Sequence, residues 1–175
     1  MTTILFGYPE KSIDDDEKNP VTTVKSADLD RYAGKWFEIA RYPNRFQKKC
    51  VGNVTATYTL KGKDGVEVLN ECLKKNGETT KAKGKAKIVD KDTNAKLKVR
   101  FAPGWLSWLP FVWGDYWILA LDDDYKHVMI GDPGRDYLWI LSREPELEEA
   151  TYQTLLEKAD GMGFDKKKLV KTPQK

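Results

Sequence analysis

The chain has 175 residues, 40% of them hydrophobic and 33% charged, with a formal net charge of +3; this is the size and balance of one folded domain rather than a disordered segment. A single His excludes HExxH and multi-His metal centres, and two Cys exclude zinc knuckles and CxxC redox pairs. The small net charge argues against nucleic acid as the default partner, no apolar run reaches the ~18 residues of a membrane span, and nothing asks for a cofactor or a metal, yet six Trp, eight Tyr and six Phe need a use.

Residues 1–25 read as a tail. Ile4, Leu5 and Phe6 form a short apolar patch with no basic stretch before it, and the patch is too short for a signal-sequence core. The acidic run at residues 14–17 reads as a solvated linker. One domain is expected over 26–173.

From Gly34 the pattern has period two. Val54, Ala56, Tyr58 and Leu60 alternate with Thr55, Thr57 and Thr59; Ala82, Gly84, Ala86 and Ile88 alternate with lysines; Leu97, Val99 and Phe101 alternate with Lys96, Lys98 and Arg100. Such alternation predicts strands with one apolar and one wet face. Turn signals separate them at Lys63-Asp64-Gly65, at Asn76-Gly77 and over 90–94. Residues 116–121 and 137–141 are apolar on both faces and need an outer cover. A helix is expected to supply it, with Pro145 at its first position and Leu147, Thr151, Leu155 and Ala159 on one stripe. Gly161 or Gly163 can stop that helix, and residues 168–171 could add a last short strand.

About eight strands followed by one helix suggest a meander closed into a barrel, or a sandwich. Closure removes exposed edges, and eight strands leave room for side chains or one small ligand. The small inward row of Ala82, Gly84 and Ala86, with Ala56 on another strand, argues for free volume inside.

Three motifs then narrow the choice. Gly34-Lys35-Trp36 opens the first strand, Gly114-Asp115-Tyr116-Trp117 opens a later one, and the run 137–143 ends in Arg143. In this order and spacing, with a helix after the third, the sequence resembles the lipocalins. Within them it is similar to the bacterial outer-membrane lipocalins, the plant temperature-induced lipocalins and apolipoprotein D. The resemblance implies an all-β fold: an eight-stranded up-and-down antiparallel β-barrel with a C-terminal helix and a short ninth strand. It also implies that Gly34, Trp36 and Arg143 form a structural floor, with the guanidinium lying over the indole.

Strand parity proposes an inward, ligand-facing set of Ala40, Tyr42, Ala56, Tyr58, Val68 and Asn70, continued by Val99, Phe101, Tyr116, Ile118 and Trp139. The resemblance singles out Tyr58, Tyr116 and Trp139. This lining is apolar with a few hydroxyls, which suits an acyl chain. Arg45, Lys48, Lys49 and Arg100 are candidates for a charged head near the mouth. By the same parity Glu38 points inward, so it should have a cationic partner and a structural role.

Residues 103–113 are unusual for a hairpin connection. Trp105, Leu106, Trp108, Leu109, Phe111 and Trp113 make it apolar, and two prolines prevent a helix or a central strand. Contact with a membrane surface through residues 104–113 is expected; a homodimer contact or cover for the barrel are alternatives. The lysine row at 81–87 reads more simply as a wet face or a guarded edge than as a lipid or nucleic-acid surface.

Cys50 and Cys72 come close to opposite one another in the antiparallel register, so a disulfide is feasible. It would imply an oxidising compartment. Two free thiols are the alternative, and one lipocalin branch uses a pocket thiol in a prostaglandin isomerase. His127 reads as a turn residue. The resulting expectation is a non-enzymatic carrier of a fatty acid or lysophospholipid, serving membrane maintenance at the cell envelope, periplasmic or associated with the outer membrane. A chromophore or steroid carrier is the alternative.

Overall fold

The computed structural model describes residues 19–62, 65–101 and 112–175. Residues 1–18 of the expected tail, Lys63 and Asp64 of the first turn, and Trp105, Leu106, Trp108, Leu109 and Phe111 lie outside the described residues.

A one-turn helix α1 (Leu29–Tyr32) leads into β1 (Gly34–Arg41), β2 (Cys50–Lys61), β3 (Gly65–Lys74), β4 (Thr79–Ile88), β5 (Lys96–Arg100), β6 (Gly114–Leu121), β7 (His127–Gly131) and β8 (Leu138–Ser142). Helix α2 (Glu149–Gly161) and β9 (Val170–Lys171) complete the chain. Each strand from β1 to β8 pairs antiparallel with the next, and β8 returns to β1. The expected up-and-down barrel therefore closes, and the sandwich does not form. β1 pairs with β2 only over Gly34–Phe37; beyond that, β9 takes the vacated edge at Ala40 and Arg41.

Two apolar cores result. Inside the barrel Trp36, Tyr58, Val68, Tyr116, Ile118 and Leu141 pack together. Outside it, Leu119, Met129, Leu138 and Ile140 meet Tyr152, Leu155 and Ala159 of α2. This covers the doubly apolar strands, as anticipated.

Besides the bulges at the start of β2, parity fails in β1 and β6. The β1–β8 register shifts between Glu38 and Ala40, and the β6–β7 register shifts between Ile118 and Ala120. Each bulge inserts one residue, and one residue reverses the face of all that follow. Ala40 and Tyr42, expected in the lumen, therefore lie in the outer core against α2, as does Ala120. The helix also starts later than expected, at Glu149 rather than near Pro145. Its buried stripe is Tyr152, Leu155 and Ala159, with Tyr152 in the place assigned to Thr151.

Cys50 and Cys72 are joined in a disulfide with their Cα atoms 5.5 Å apart. The bridge ties the start of β2 to β3 where bulges interrupt their ladder. It spans 22 residues, so reduction is expected to lower the unfolding free energy by about 3 kcal/mol. Urea titrations with and without reductant measure this. Coincident curves would show that the bridge does not restrain the unfolded chain.

Candidate functional site

The site is the barrel lumen, and its closed end is built first. Asp28 caps α1 by accepting from the backbone N–H groups of Asp30 and Arg31. A one-turn helix leaves its last carbonyls without partners. Arg143 supplies them: its Nη2 donates to the carbonyls of Arg31 (2.7 Å), Ala33 (3.0 Å) and Tyr32 (3.1 Å). Its Nη1 donates to Lys35 O at 2.9 Å, and its Nε to Tyr125 O at 3.2 Å. The guanidinium carbon lies 3.8 Å from the ring centre of Trp36, a contact of about 0.5–2 kcal/mol. Trp36 is fully buried and donates from Nε1 to Tyr32 O at 2.9 Å. A Cβ on Gly34 would sit 3.2 Å from Arg143 Nη1, at a φ of +100° that side chains rarely adopt.

Above this floor three buried phenols form a chain. Tyr32 and Tyr116 share a hydrogen bond of 2.6 Å, and Tyr116 donates to Tyr58 at 2.9 Å. Burial pushes all three phenols up: Tyr58 to about 12, Tyr32 and Tyr116 well above the usual value. The cavity beside them, bounded by Leu29, Tyr58, Val66, Val99 and Ile118 among others, holds about 10 Å³. That is room for one water. The deep half of the lumen, with Tyr58, Val68, Tyr116 and Ile118, is therefore filled by side chains.

The mouth half differs. Ala56, Asn70 and Ala82 form a cross-strand row one step nearer the mouth than Tyr58, Val68 and Gly84. Ala56 and Asn70 are half-buried and Ala82 is exposed, although all three face inward. Phe101 is 45% exposed, and its ring lies over Gly84, where a Cβ would come within 2.7 Å of it. Asn70 Oδ1 is buried without a hydrogen-bond partner among the described residues. Trp139 stacks on Tyr137 with ring centres 5.6 Å apart, and Tyr137 in turn meets Phe46 at 6.1 Å. The small inward residues Ala56 and Ala82 are thus more open to solvent than the inward residues of the deep end.

Glu38 is 3% exposed and fully engaged. Its Oε1 accepts from Arg41 Nη1 at 2.7 Å and from Thr172 Oγ1 at 2.5 Å, and its Oε2 accepts from Gln47 Nε2 at 2.6 Å. Gln47 Oε1 accepts from Trp139 Nε1 at 3.2 Å. The expected cation is Arg41, and the carboxylate holds the residue that orients the Trp139 indole. Arg45, Lys48 and Lys49 are exposed on the connection between β1 and β2. Arg100 is buried with its guanidinium 4.9 Å from the ring centre of Trp113. His127 opens β7 with Nδ1 3.5 Å from Asp122 Oδ1.

Sequence reasoning missed Tyr32, Gln47 and Thr172. Asp28 ahead of Leu29 was the only signal for α1, since four residues are too few to show a period. Gln47 and Thr172 owe their places to the chain's return, which no local pattern announces.

A family model described as "Lipocalin-like domain" matches residues 27–174. Temperature-induced lipocalin-1 of Arabidopsis thaliana is 48% identical over 160 residues, covering 90% of this chain and 85% of that protein. Outer membrane lipoprotein Blc of Escherichia coli is 40% identical over 151 residues, covering 86% and 81%. Among solved structures, insecticyanin of the tobacco hornworm Manduca sexta superposes with a TM-score of 0.70 at 24% identity, covering 90% of this chain and 86% of that one.

The phenol chain makes the fold sensitive to alkali. Unfolded tyrosines release their protons near pH 10, whereas Tyr58 holds its proton to about 12. Between those values the folded state binds more protons, so stability is full below about pH 10 and falls as pH rises toward 12. Phenolate absorbance is expected to rise in two stages, the later one coinciding with loss of the near-ultraviolet circular dichroism. Ionisation of all eight tyrosines in one stage near pH 10, with the fold intact, would contradict this.

Proposed function

The chain belongs to the lipocalin family, and we propose that it carries a single-chain lipid, a lysophospholipid or a fatty acid, in the mouth half of its barrel. Lipocalins are carriers of small hydrophobic molecules; the lipid class is the present reading. The observation that carries it is the accessible inward set of Ala56, Ala82, Phe101 and Trp139, with Asn70 between Ala56 and Ala82 offering Oδ1 as a buried acceptor with no partner among the described residues. An unpaired buried acceptor costs about 1–3 kcal/mol, which a ligand donor would recover. The glycerol hydroxyl of a lysophospholipid is such a donor, whereas a fatty-acid carboxylate offers only acceptors. Arg45, Lys48 and Lys49 at the rim suit its phosphate. The acyl chain would lie against Val99, Phe101 and Trp139 and stop at the tyrosines. Both cysteines are spent in the disulfide, which leaves the isomerase alternative without a thiol nucleophile.

The site of action is proposed to be a membrane of the cell envelope, where the carrier would serve membrane maintenance. An oxidised cysteine pair suits an oxidising compartment, and one relative is named as an outer membrane lipoprotein. Residues Trp105, Leu106, Trp108, Leu109, Phe111 and Trp113 are proposed to contact the membrane, with their indoles at headgroup level.

Two experiments test this. Native mass spectrometry of delipidated protein offered lysophosphatidylcholine is expected to show one lipid per chain, with a tryptophan fluorescence change that Trp139→Phe removes. Asn70→Leu should weaken the lysophospholipid about tenfold and palmitate less. A pigment recovered from the purified protein, or no capture of either lipid, would overturn the lipid reading. The triple variant Trp105→Ser, Trp108→Ser, Phe111→Ser is expected to lose co-sedimentation with phosphatidylcholine vesicles; undiminished binding would overturn the loop contact.

A further inference from the structure

The outer face of β4 carries Lys81, Lys83, Lys85 and Lys87, all exposed. From sequence alone this row reads as a wet face or as the guard of an open sheet edge. Closure of the barrel removes the second explanation for Lys85 and Lys87, which stand where β4 is paired with β3 on one side and β5 on the other; Lys81 and Lys83 lie beyond the pairing with β5 among the described residues.

The pairing adds a cost instead. Lys85 stands directly across from Arg100, and Lys87 directly across from Lys98. Like charges in directly opposed positions destabilise a sheet. Counter-charge is present at the margins. Lys81 pairs with Glu71 at 2.7 Å, and Lys98 with Asp115 at 3.0 Å. Lys85 has Glu67 opposite it on β3 without forming an ion pair, and Lys83 faces Leu69. The whole chain carries a net charge of only +3, so four lysines on β4 with Lys96 and Lys98 on β5 are a local concentration of charge.

Indoles are set among these cations. Lys87 Nζ lies 4.4 Å from the ring centre of Trp113, and Lys96 Nζ 4.5 Å from that of Trp117. Both indoles are half-buried. On β5 the face runs toward the mouth as far as Arg100 and Trp113, and Trp113 borders the apolar connection between β5 and β6. Cations, half-exposed indoles and an apolar border together match the layers of a bilayer surface. A polynucleotide would use the first two and leave the third without a role.

We propose that the outer face of β4 and β5 docks on anionic phospholipid headgroups and lays the barrel sidewise on the membrane. The proposal takes the identity of the polyanion from the membrane reading above, but the charged face is a separate determinant. Lipid phosphates and serine carboxylates would offset the charge of the exposed lysines on β4.

The test is co-sedimentation of the full chain with vesicles of phosphatidylcholine alone or mixed with phosphatidylserine, at low and high salt. Two arms separate the determinants. K83Q/K85Q removes two cations that make no ion pair or ring contact among the described residues. It is expected to bind phosphatidylserine vesicles about thirtyfold more weakly, to bind phosphatidylcholine vesicles as before, and to have a urea midpoint equal to or above that of the parent. High salt should weaken the parent toward the variant. The tryptophan-loop variant should lose neutral-vesicle binding while keeping the phosphatidylserine increment and its salt dependence, so failure of the loop reading is seen separately. Equal binding of K83Q/K85Q and the parent to phosphatidylserine vesicles would overturn the proposal. So would tighter binding of the parent to a single-stranded oligonucleotide than to those vesicles at the same salt.

Discussion

The fold depends on one guanidinium. A one-turn helix cannot satisfy its own C-terminal carbonyls, and here those carbonyls lie across the closed end of the barrel. Arg143 gives donors to the carbonyls of Arg31, Tyr32 and Ala33 and covers Trp36 with its planar face. Lysine has one ammonium and no plane, so it could do one of these tasks but not both. Gly34 follows from this choice, because the guanidinium passes where a Cβ would be. Tyr32 follows too: once α1 is fixed, its phenol can point only up into the lumen.

That chain of consequences sets where a ligand can go. Tyr32 engages Tyr116, and Tyr116 engages Tyr58. Three aromatic side chains with satisfied oxygens occupy the deep half, and the cavity beside them holds about 10 Å³. The closed end is a packed core that happens to lie inside a barrel, while the mouth tier keeps inward residues that contact solvent.

Much of this was legible in the sequence, for identifiable reasons. Period-two alternation in β2 through β5 is a direct imprint of one wet and one dry face, so Tyr58, Val68 and Val99 could be placed inward at once. The run at 137–141 gave the right parity for Trp139 and Leu141. Ala40 and Tyr42 went astray because β1 gains one residue at a bulge, and an insertion of one residue into an already apolar run leaves no compositional trace. The late start of α2 has a similar origin. Pro145 and the acidic residues after it permit a helix at that point, but only packing of Tyr152 and Leu155 on the barrel decides where it begins. Tyr32, Gln47 and Thr172 act through partners 84, 92 and 134 residues away, beyond the reach of any local pattern.

The mouth end has its own solution to a missing partner. β2 leaves β1 after Phe37, so the early part of β2 would present an unpaired edge at the mouth. Three devices hold it. The disulfide fixes it to β3. The last residues of the chain thread between β1 and β2: Thr172 donates to Ile39 O, Asn53 donates to Pro173 O, and Gln174 Nε2 spans Glu38 O and Val54 O. The Glu38 carboxylate then ties Thr172 to Gln47, and through Gln47 to the Trp139 indole. A buried carboxylate with this many donors is costly to assemble and costly to disturb. Its placement makes the orientation of Trp139 depend on the same contacts that seal the seam.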